Sequence, residues 1–196
     1  MAPPEPPELP TRGQDRPGPA LASQNLVDGR VHLAESDPKW PYLFEREAHR
    51  IREALDERVL LLEHVGSTAV PGLIAKPCVD ILLCVADPAD EDAYVPALEA
   101  AGYTVAIRKP DWHEHRVLGG NQVNINLHVF ALECEQVGSL LRLRDHLRAD
   151  ADACARYTEV KRALAERTWD HILEYFDAKT EVVEELLAQA GERQTA

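Results

Sequence analysis

One aspartate interrupts the most apolar segment of the sequence. Residues 78–85 read Cys-Val-Asp-Ile-Leu-Leu-Cys-Val, and Asp80 is the one charged side chain among them. A carboxylate in such a segment is costly to bury unless a cation, a metal ion or a hydrogen-bond donor stabilises it. Asp80 is therefore the first candidate for a residue that contacts a ligand or metal ion. The alternative is a structural acid that bonds to a nearby turn or pairs with Lys76.

A second set of polar residues lies in a later segment that alternates polar and aliphatic residues. Asn124, Asn126 and His128 are its polar members, and a strand would place all three on one face because successive side chains point to opposite sides. If this strand lies beside the strand of Asp80, then His128 and Asp80 converge on one ligand or ion. The alternative for His128 is a core histidine whose hydrogen bonds are satisfied within the protein.

A glycine–serine turn precedes the strand of Asp80. Gly66 and Ser67 follow a largely apolar, β-prone segment at 60–65. A turn of this kind either binds a phosphate through its backbone amides or is simply a tight turn with a hydroxyl cap. Lys76 stands before Pro77, where the next strand begins, and is a candidate either for phosphate binding or for an ion pair.

The run Asp-Trp-His-Glu-His at 111–115 resembles a metal site at first sight. In a strand its two histidines, His113 and His115, would share a face. No cysteine or third histidine is close in sequence, so we predict an exposed edge or loop here.

Periodicity and capping signals predict the elements that must position these residues. Ser36-Asp37-Pro38 marks a helix start, and apolar residues follow at helical spacing as far as residue 55. The pattern is helical again from about residue 136 onward. Strands are predicted near 60–65, 78–85, 103–107, 113–118 and 122–130, with a short strand within 26–33 and a helix from 87 to the glycine at 102. The prediction is an α+β fold: a mixed β-sheet with flanking helices and a helical C-terminal part.

The domain organisation follows from composition. Residues 1–25 hold seven of the fourteen prolines and almost no large apolar residues, so we expect a disordered proline-rich tail that cannot offset its ordering entropy. Residues 26–190 are predicted to form a single domain, with the sheet core ending at about residue 133 and the helical part spanning 136–190.

Charge, apolar runs and cysteines narrow the function classes. A net charge of −13 argues against nucleic-acid binding, because neutralising phosphates needs a basic surface. No run is apolar and long enough to span a bilayer, and the N-terminus lacks a signal-peptide pattern. The four cysteines form no Cys-x-x-Cys pair, so we expect reduced thiols and a cytoplasmic location.

The central segment at 64–81, His-Val-Gly-Ser-Thr-Ala-Val-Pro-Gly-Leu-Ile-Ala-Lys-Pro-Cys-Val-Asp-Ile, resembles the signature of the GrpB family. That family is a branch of the nucleotidyltransferase superfamily, and its domain also occurs fused to some dephospho-coenzyme A kinases. The similarity covers roughly residues 28–190. It includes the entry helix at 37–47, the Leu-His-Val strand at 127–129 and the helices that carry Arg144, Tyr157 with Lys161, and Tyr175 with Lys179.

The resemblance implies a polymerase-β-like nucleotidyltransferase fold. In active members of that superfamily the Gly-Ser turn holds nucleotide phosphates. Two carboxylates one residue apart on a strand, with a third on a neighbouring strand, hold two divalent ions for an in-line displacement. Here Asp80 matches the first acid, Leu82 occupies the second position, and His128 stands where the third is expected. The resemblance thus makes Asp80 and His128 the catalytic and metal-binding candidates, with magnesium or manganese as the divalent ion.

The same resemblance suggests which residues contact the substrate. Because an acidic protein that binds phosphate must concentrate its positive charge, basic residues at matched positions are candidates, although helices also carry exposed, ion-paired lysines and arginines routinely. The substrate-binding candidates are Gly66, Ser67, Lys76, Arg116, Arg144 and Lys161, with Arg148 and Lys179 ranked behind them.

Three functions remain open from the sequence. The leading one is binding of a nucleotide or another phosphorylated small molecule, with transfer of a nucleotidyl group to a small acceptor as the reaction if the protein is catalytic. The second is a non-catalytic ligand-binding module, which Leu82 in place of the second acid favours. The third is a different chemistry in the same pocket, with His128 as general base. No membrane or nucleic-acid partner is expected.

Overall fold

The structure of the protein, a computed structural model, describes residues 26–194. The predicted proline-rich tail at 1–25 lies outside the described residues. No helix in the described part of the chain is long and apolar enough to cross a membrane. All four cysteines lie within it as free thiols.

The sheet has five strands in the order β1-β2-β5-β4-β3. β2 and β5 run parallel, while every other neighbouring pair is antiparallel. The predicted mixed sheet is therefore confirmed. The strands are β1 (Leu61–Val65), β2 (Val79–Val85), β3 (Tyr103–Lys109), β4 (His115–Gly120) and β5 (Ile125–Ala131).

Within residues 26–194, six α-helices flank the sheet, and four of them follow its last strand, which confirms the α+β class with a helical C-terminal part. They are α1 (Lys39–Leu55), α2 (Val95–Ala100), α3 (Glu135–Ala149), α4 (Ala151–Ala165), α5 (Ile172–Asp177) and α6 (Thr180–Gln194). Asp150 caps α4, because its side chain accepts hydrogen bonds from the amides of Asp152 and Ala153.

One face of the sheet packs against α1 and α2 and forms the main core. Alternate residues of β2, such as Ile81 and Leu83, meet the inner face of α1, where Ile51 and Leu55 are fully buried. Burying each such side chain contributes about 1.5–3 kcal/mol. The strand alternation read from the sequence therefore corresponds to a real core face.

The opposite face of the sheet is divided between apolar and polar residues. Leu82, Cys84 and Phe130 pack with Val137 of α3 in an apolar cluster. Asp80, two residues before Leu82 on β2, lies on the polar part. The C-terminal helices cover this face, and the functional site lies between them and the sheet.

Two predicted elements differ from the structure. The helix predicted from residue 87 to 102 is instead a three-residue 3-10 turn at Glu91–Ala93 followed by α2, because Pro96 favours a helix start at its own position. The strand predicted within 26–33 is absent; isolated bridges join Val27 to Arg30 and Ala34 to Ala75.

Candidate functional site

A pocket of about 400 Å³ opens between the polar part of the sheet and the C-terminal helices. Strands β2 and β5 supply its floor, the turn after β1 supplies one wall, and α4 and α5 supply the opposite wall. Six of the eight residues proposed from the sequence line it together: Gly66, Ser67, Lys76, Asp80, His128 and Lys161.

Asp80 lies at the centre of the pocket floor. The parallel register places Asp80 opposite Asn126 and Leu82 opposite His128, which confirms that the two polar strands are neighbours. Asn126 Nδ2 donates a hydrogen bond to Asp80 Oδ1 at 2.7 Å, and His128 Nε2 lies 3.6 Å from the same oxygen. Burial alone would raise the pKa of Asp80, but His128, Lys76 and Asn126 together hold it below its usual value. The carboxylate is therefore ionised at neutral pH.

Position 66 requires glycine because the backbone there lies very close to Asp80. A Cβ at this position would lie 2.5 Å from Asp80 Oδ2, and the residue has a φ of +70°. Both facts exclude an ordinary side chain, because L-residues are strained at positive φ and non-bonded atoms do not approach so closely. The turn thus packs directly on the carboxylate.

Hydrogen bonds hold the rest of the turn in place. His64 Nε2 lies 3.0 Å from Thr68 Oγ1, and burial lowers the pKa of His64 to about 4, so its imidazole is neutral. Burial chiefly, with Asp80 adding to it, raises the pKa of Tyr157 to about 12, while Ser67 acts in the opposite direction. Ser67 therefore lies close to Tyr157 of α4.

Three lysines bring positive charge into the pocket: Lys76, Lys161 and Lys179. Lys161 is 2% exposed and donates to the backbone carbonyl of Ile74. Burial lowers its pKa to about 7, and repulsion from Lys179 adds to this while Asp80 opposes it. Burial likewise lowers the pKa of Lys179 to about 8. These ammonium groups outnumber the single pocket carboxylate.

Tyr175 also lines the pocket, although the sequence around it did not predict this. It is 2% exposed, and its hydroxyl has no hydrogen-bond partner. The Lys179 ammonium lies 4.6 Å from the centre of its ring. Burial raises the pKa of Tyr175, so the hydroxyl stays protonated. A buried hydroxyl without a partner costs about 1–3 kcal/mol.

The prediction of an exposed edge or loop at 111–115 is wrong for His115. His115 is only 7% exposed, and its Nε2 lies 3.2 Å from His128 Nδ1. The turn ends at Glu114, where φ is still positive, and β4 begins at the next residue. Strand alternation then places His115 on the same face as Val117, which lines the pocket. Strand alternation in the sequence could assign His115 to one face of the strand. The contact of His115 with His128 depends on the pairing of β4 with β5, which the sequence does not show.

Arg116 and Arg144, which the sequence suggested as substrate-binding residues, do not line this pocket. Arg116 points to the opposite face of β4, where its Nε donates to Glu91 Oε1 at 2.7 Å. Arg144 joins α3 to β1 by donating to Glu63 Oε2 at 2.7 Å and to Asp145 Oδ1 at 2.8 Å. In both arginines, carboxylates already accept the guanidinium hydrogen bonds that an anionic ligand would need.

The residues of the pocket do not fit a magnesium or manganese ion. Such ions favour several oxygen ligands, but Leu82, in the second-acid position, is fully buried in the apolar cluster. One oxygen of Asp80 already accepts from Asn126, and His128 Nδ1 faces His115. Within residues 26–194 no three His, Cys, Asp or Glu side chains lie close enough to hold a metal ion.

Comparison with known proteins identifies the family. The family model described as GrpB protein matches residues 30–189. The chain belongs to the GrpB family. A UPF0157 protein of Halalkalibacterium halodurans is 52% identical over 161 residues, which are 82% of this chain and 83% of that one. The crystal structure of the conserved protein GrpB from Enterococcus faecalis aligns with a TM-score of 0.74 and 27% identity, covering 84% of this chain and 100% of the other.

The GrpB domain also occurs within longer chains. A dephospho-CoA kinase of Mycolicibacterium paratuberculosis is 32% identical over 187 residues, which cover 81% of this chain but 46% of the kinase. The Cid1 poly(U) polymerase, solved with MgGTP bound, aligns over 68% of this chain and 44% of its own with a TM-score of 0.47 and 15% identity. We draw no argument about function from a similarity of that size.

Proposed function

We propose that this GrpB-family protein binds a nucleotide or another phosphorylated small molecule in the pocket above Asp80. The observation that carries the proposal is the concentration of three lysines, Lys76, Lys161 and Lys179, around a single carboxylate, in a chain whose net charge is −13. Two of the three have a lowered pKa, so their charge is unfavourable until an anion neutralises it.

The rest of the pocket suits an organic ligand with an anionic end. Its volume of about 400 Å³ lies within the usual range for small-molecule sites. Ile107, Val117 and Leu140 provide apolar surface away from the lysines. A β-bulge between Val105 and Ile107 changes the register of β3, so that Ile107 pairs with the pocket residue Val117. Phosphate oxygens would then face the lysines.

Binding without transfer is the function that the side chains favour. A two-metal transfer of a nucleotidyl group would need a second carboxylate where Leu82 is buried. The ligand-binding module therefore takes precedence over the transferase in this proposal. The dephospho-CoA kinase relative adds coenzyme A precursors to the ligands worth testing.

Isothermal titration tests the proposal directly. The protein is titrated with ATP, GTP, CTP, UTP, dephospho-coenzyme A and inorganic pyrophosphate. We expect at least one to bind, and binding to be lost in Lys161→Met and Lys179→Met. The matched control is Arg162→Met, which removes the same charge from the next position of α4, where the arginine is 60% exposed. If none of the ligands binds, or if the control loses binding equally, the proposal fails.

A turnover assay separates the module from the transferase. The protein is incubated with each nucleotide, magnesium and a panel of small acceptors, and pyrophosphate release is measured. We expect none above background. Release that Asp80→Asn abolishes would establish nucleotidyl transfer in place of simple binding.

A further inference from the structure

His115, which is buried, and His128, which is partly buried, form an imidazole pair at the edge of the pocket. They lie on the neighbouring antiparallel strands β4 and β5. Their rings are nearly parallel, with 5.4 Å between centroids and 7° between planes, and His115 also stacks on Phe130 at 4.3 Å. His115 Nε2 lies 3.2 Å from His128 Nδ1. Because the rings are held by packing, the hydrogen bond between them has a fixed pair of atoms.

Two neutral imidazoles can share such a bond in two ways. Either His115 Nε2–H donates to His128 Nδ1, or His128 Nδ1–H donates to His115 Nε2. His115 Nδ1 is buried and has no hydrogen-bond partner. In the second arrangement this atom would carry a buried N–H without an acceptor, whereas in the first it carries only a lone pair. Orphaned buried N–H groups are rarer than under-satisfied acceptors, so the first arrangement is favoured.

The other side of His128 favours the same arrangement. His128 Nε2 lies 3.6 Å from Asp80 Oδ1. When His115 donates, His128 carries its proton on Nε2 and turns an N–H toward the carboxylate. In the opposite arrangement two lone pairs would face each other. Burial chiefly, with the charges around it, lowers the pKa of His115 to about 2, so His115 remains neutral at any pH at which the protein would be studied.

We propose that His115 is a positioning residue that holds His128 in its Nε2–H tautomer, so that His128 presents a hydrogen-bond donor to the pocket. This deepens the proposed function, on which its role toward a ligand rests, because phosphate oxygens accept hydrogen bonds. A nitrogen that carries a proton binds no metal ion and accepts no proton. His128 is thereby excluded as a metal ligand and as a general base at Nε2.

Nuclear magnetic resonance of the ligand-free protein tests the tautomer independently of any ligand. In protein labelled with ¹⁵N-histidine, long-range ¹H–¹⁵N correlations show which ring nitrogen is protonated, and the His128→Gln spectrum assigns the His128 signals. We expect both His115 and His128 to be protonated at Nε2, with a coupling across the hydrogen bond between His115 Nε2 and His128 Nδ1. Protonation of either residue at Nδ1 instead would overturn the proposal.

Pyrophosphate titration tests whether the positioning affects ligand binding. His115→Phe keeps a ring against Phe130 but removes the donor, and we expect about fivefold weaker binding, the equivalent of one hydrogen bond of ~1 kcal/mol. His115→Gln restores an N–H donor and should recover most of the affinity. In a His128→Phe background the change at 115 should have no further effect; an equal loss there would show a merely structural role. If wild-type protein binds neither pyrophosphate nor any of the nucleotides and dephospho-coenzyme A while the tautomers are as expected, the ligand proposal fails and the positioning remains.

Discussion

Replacing Lys161 with methionine should stabilise the protein and abolish ligand binding. The side chain is 2% exposed, and its pKa is lowered from 10.5 to about 7 in the folded state. At ~1.36 kcal/mol for each pKa unit, keeping this ammonium in the folded protein costs roughly 4–5 kcal/mol at neutral pH. The variant also loses the hydrogen bond to the Ile74 carbonyl, which costs about 1–3 kcal/mol. The free energy of unfolding should therefore rise by roughly 1–4 kcal/mol at pH 7.

The pH dependence distinguishes this cause from simple repacking. The unfolded chain binds more protons at this site than the folded protein between pH 7 and 10.5, so wild-type stability gains with pH relative to the variant. The penalty is complete below pH 7 and disappears as pH rises to 10.5. Replacing Lys161 also removes its repulsion with Lys179, and this loss should further raise the free energy of unfolding of the variant.

Urea unfolding at pH 7 and pH 9 measures the effect. The advantage of Lys161→Met over wild type should shrink by roughly 2 kcal/mol between these pH values, which follows from the ~1.36 kcal/mol per unit slope. Arg162→Met should show no such trend. An advantage that is independent of pH, or a variant less stable than wild type at pH 7, would refute the reasoning that this lysine is a penalised charge awaiting an anion.

Three further outcomes follow from the site. Gly66→Ala should lower the free energy of unfolding, measured in urea, by about 2–4 kcal/mol through strain and overpacking. The control Gly72→Ala, at a similar positive φ but with open space around it, should lose only about 1–2 kcal/mol. Adding Asp80→Ala to the Gly66→Ala variant should restore part of the lost stability. Arg116→Met should destabilise by about 1–2 kcal/mol because Glu91 loses one of its two arginine partners and keeps Arg108, yet leave the ligand dissociation constant unchanged in titration. Ligand affinity should fall as pH rises from 7 to 9, because the pocket lysines with pKa near 7 and 8 lose their protons. Proton uptake on binding near pH 8 should appear as a difference in observed heat between titrations in Tris and in HEPES, and equal observed heats in the two buffers would contradict this.

Much of the fold was predictable because its signals are local. The alternation in β2 and β5, the helical spacing in α1 and the glycine–serine turn each depend on neighbouring residues in sequence. The misplaced boundaries also have local causes. Pro96 starts a short helix where a longer one was predicted, and positive φ at His113 and Glu114 delays β4 to residue 115.

The composition of the site could be predicted only in part. Asp80 and His128 were found because a polar residue in an apolar strand is conspicuous in sequence. Arg116 lies outside this pocket because its side chain is on the opposite face of β4 from that of His115. Which face of β4 lines the pocket depends on how the sheet is covered. Tyr175 is an ordinary tyrosine in sequence, and its hydroxyl loses water because the side chain is buried in a cluster with Val31, Leu164 and Trp169.

The sequence by itself determined the strands, the turn, the family resemblance and the loss of the second acid at Leu82, since each is written in contiguous residues. Only the tertiary structure decided what the polar residues do together. The parallel pairing of β2 with β5 brings Asp80 beside His128, and the antiparallel pairing of β4 adds His115. Packing of the C-terminal helical part buries Lys161 and Lys179, and this burial lowers the pKa of both lysines. Proximity and desolvation are properties of the folded chain, so no reading of spacing alone could supply them.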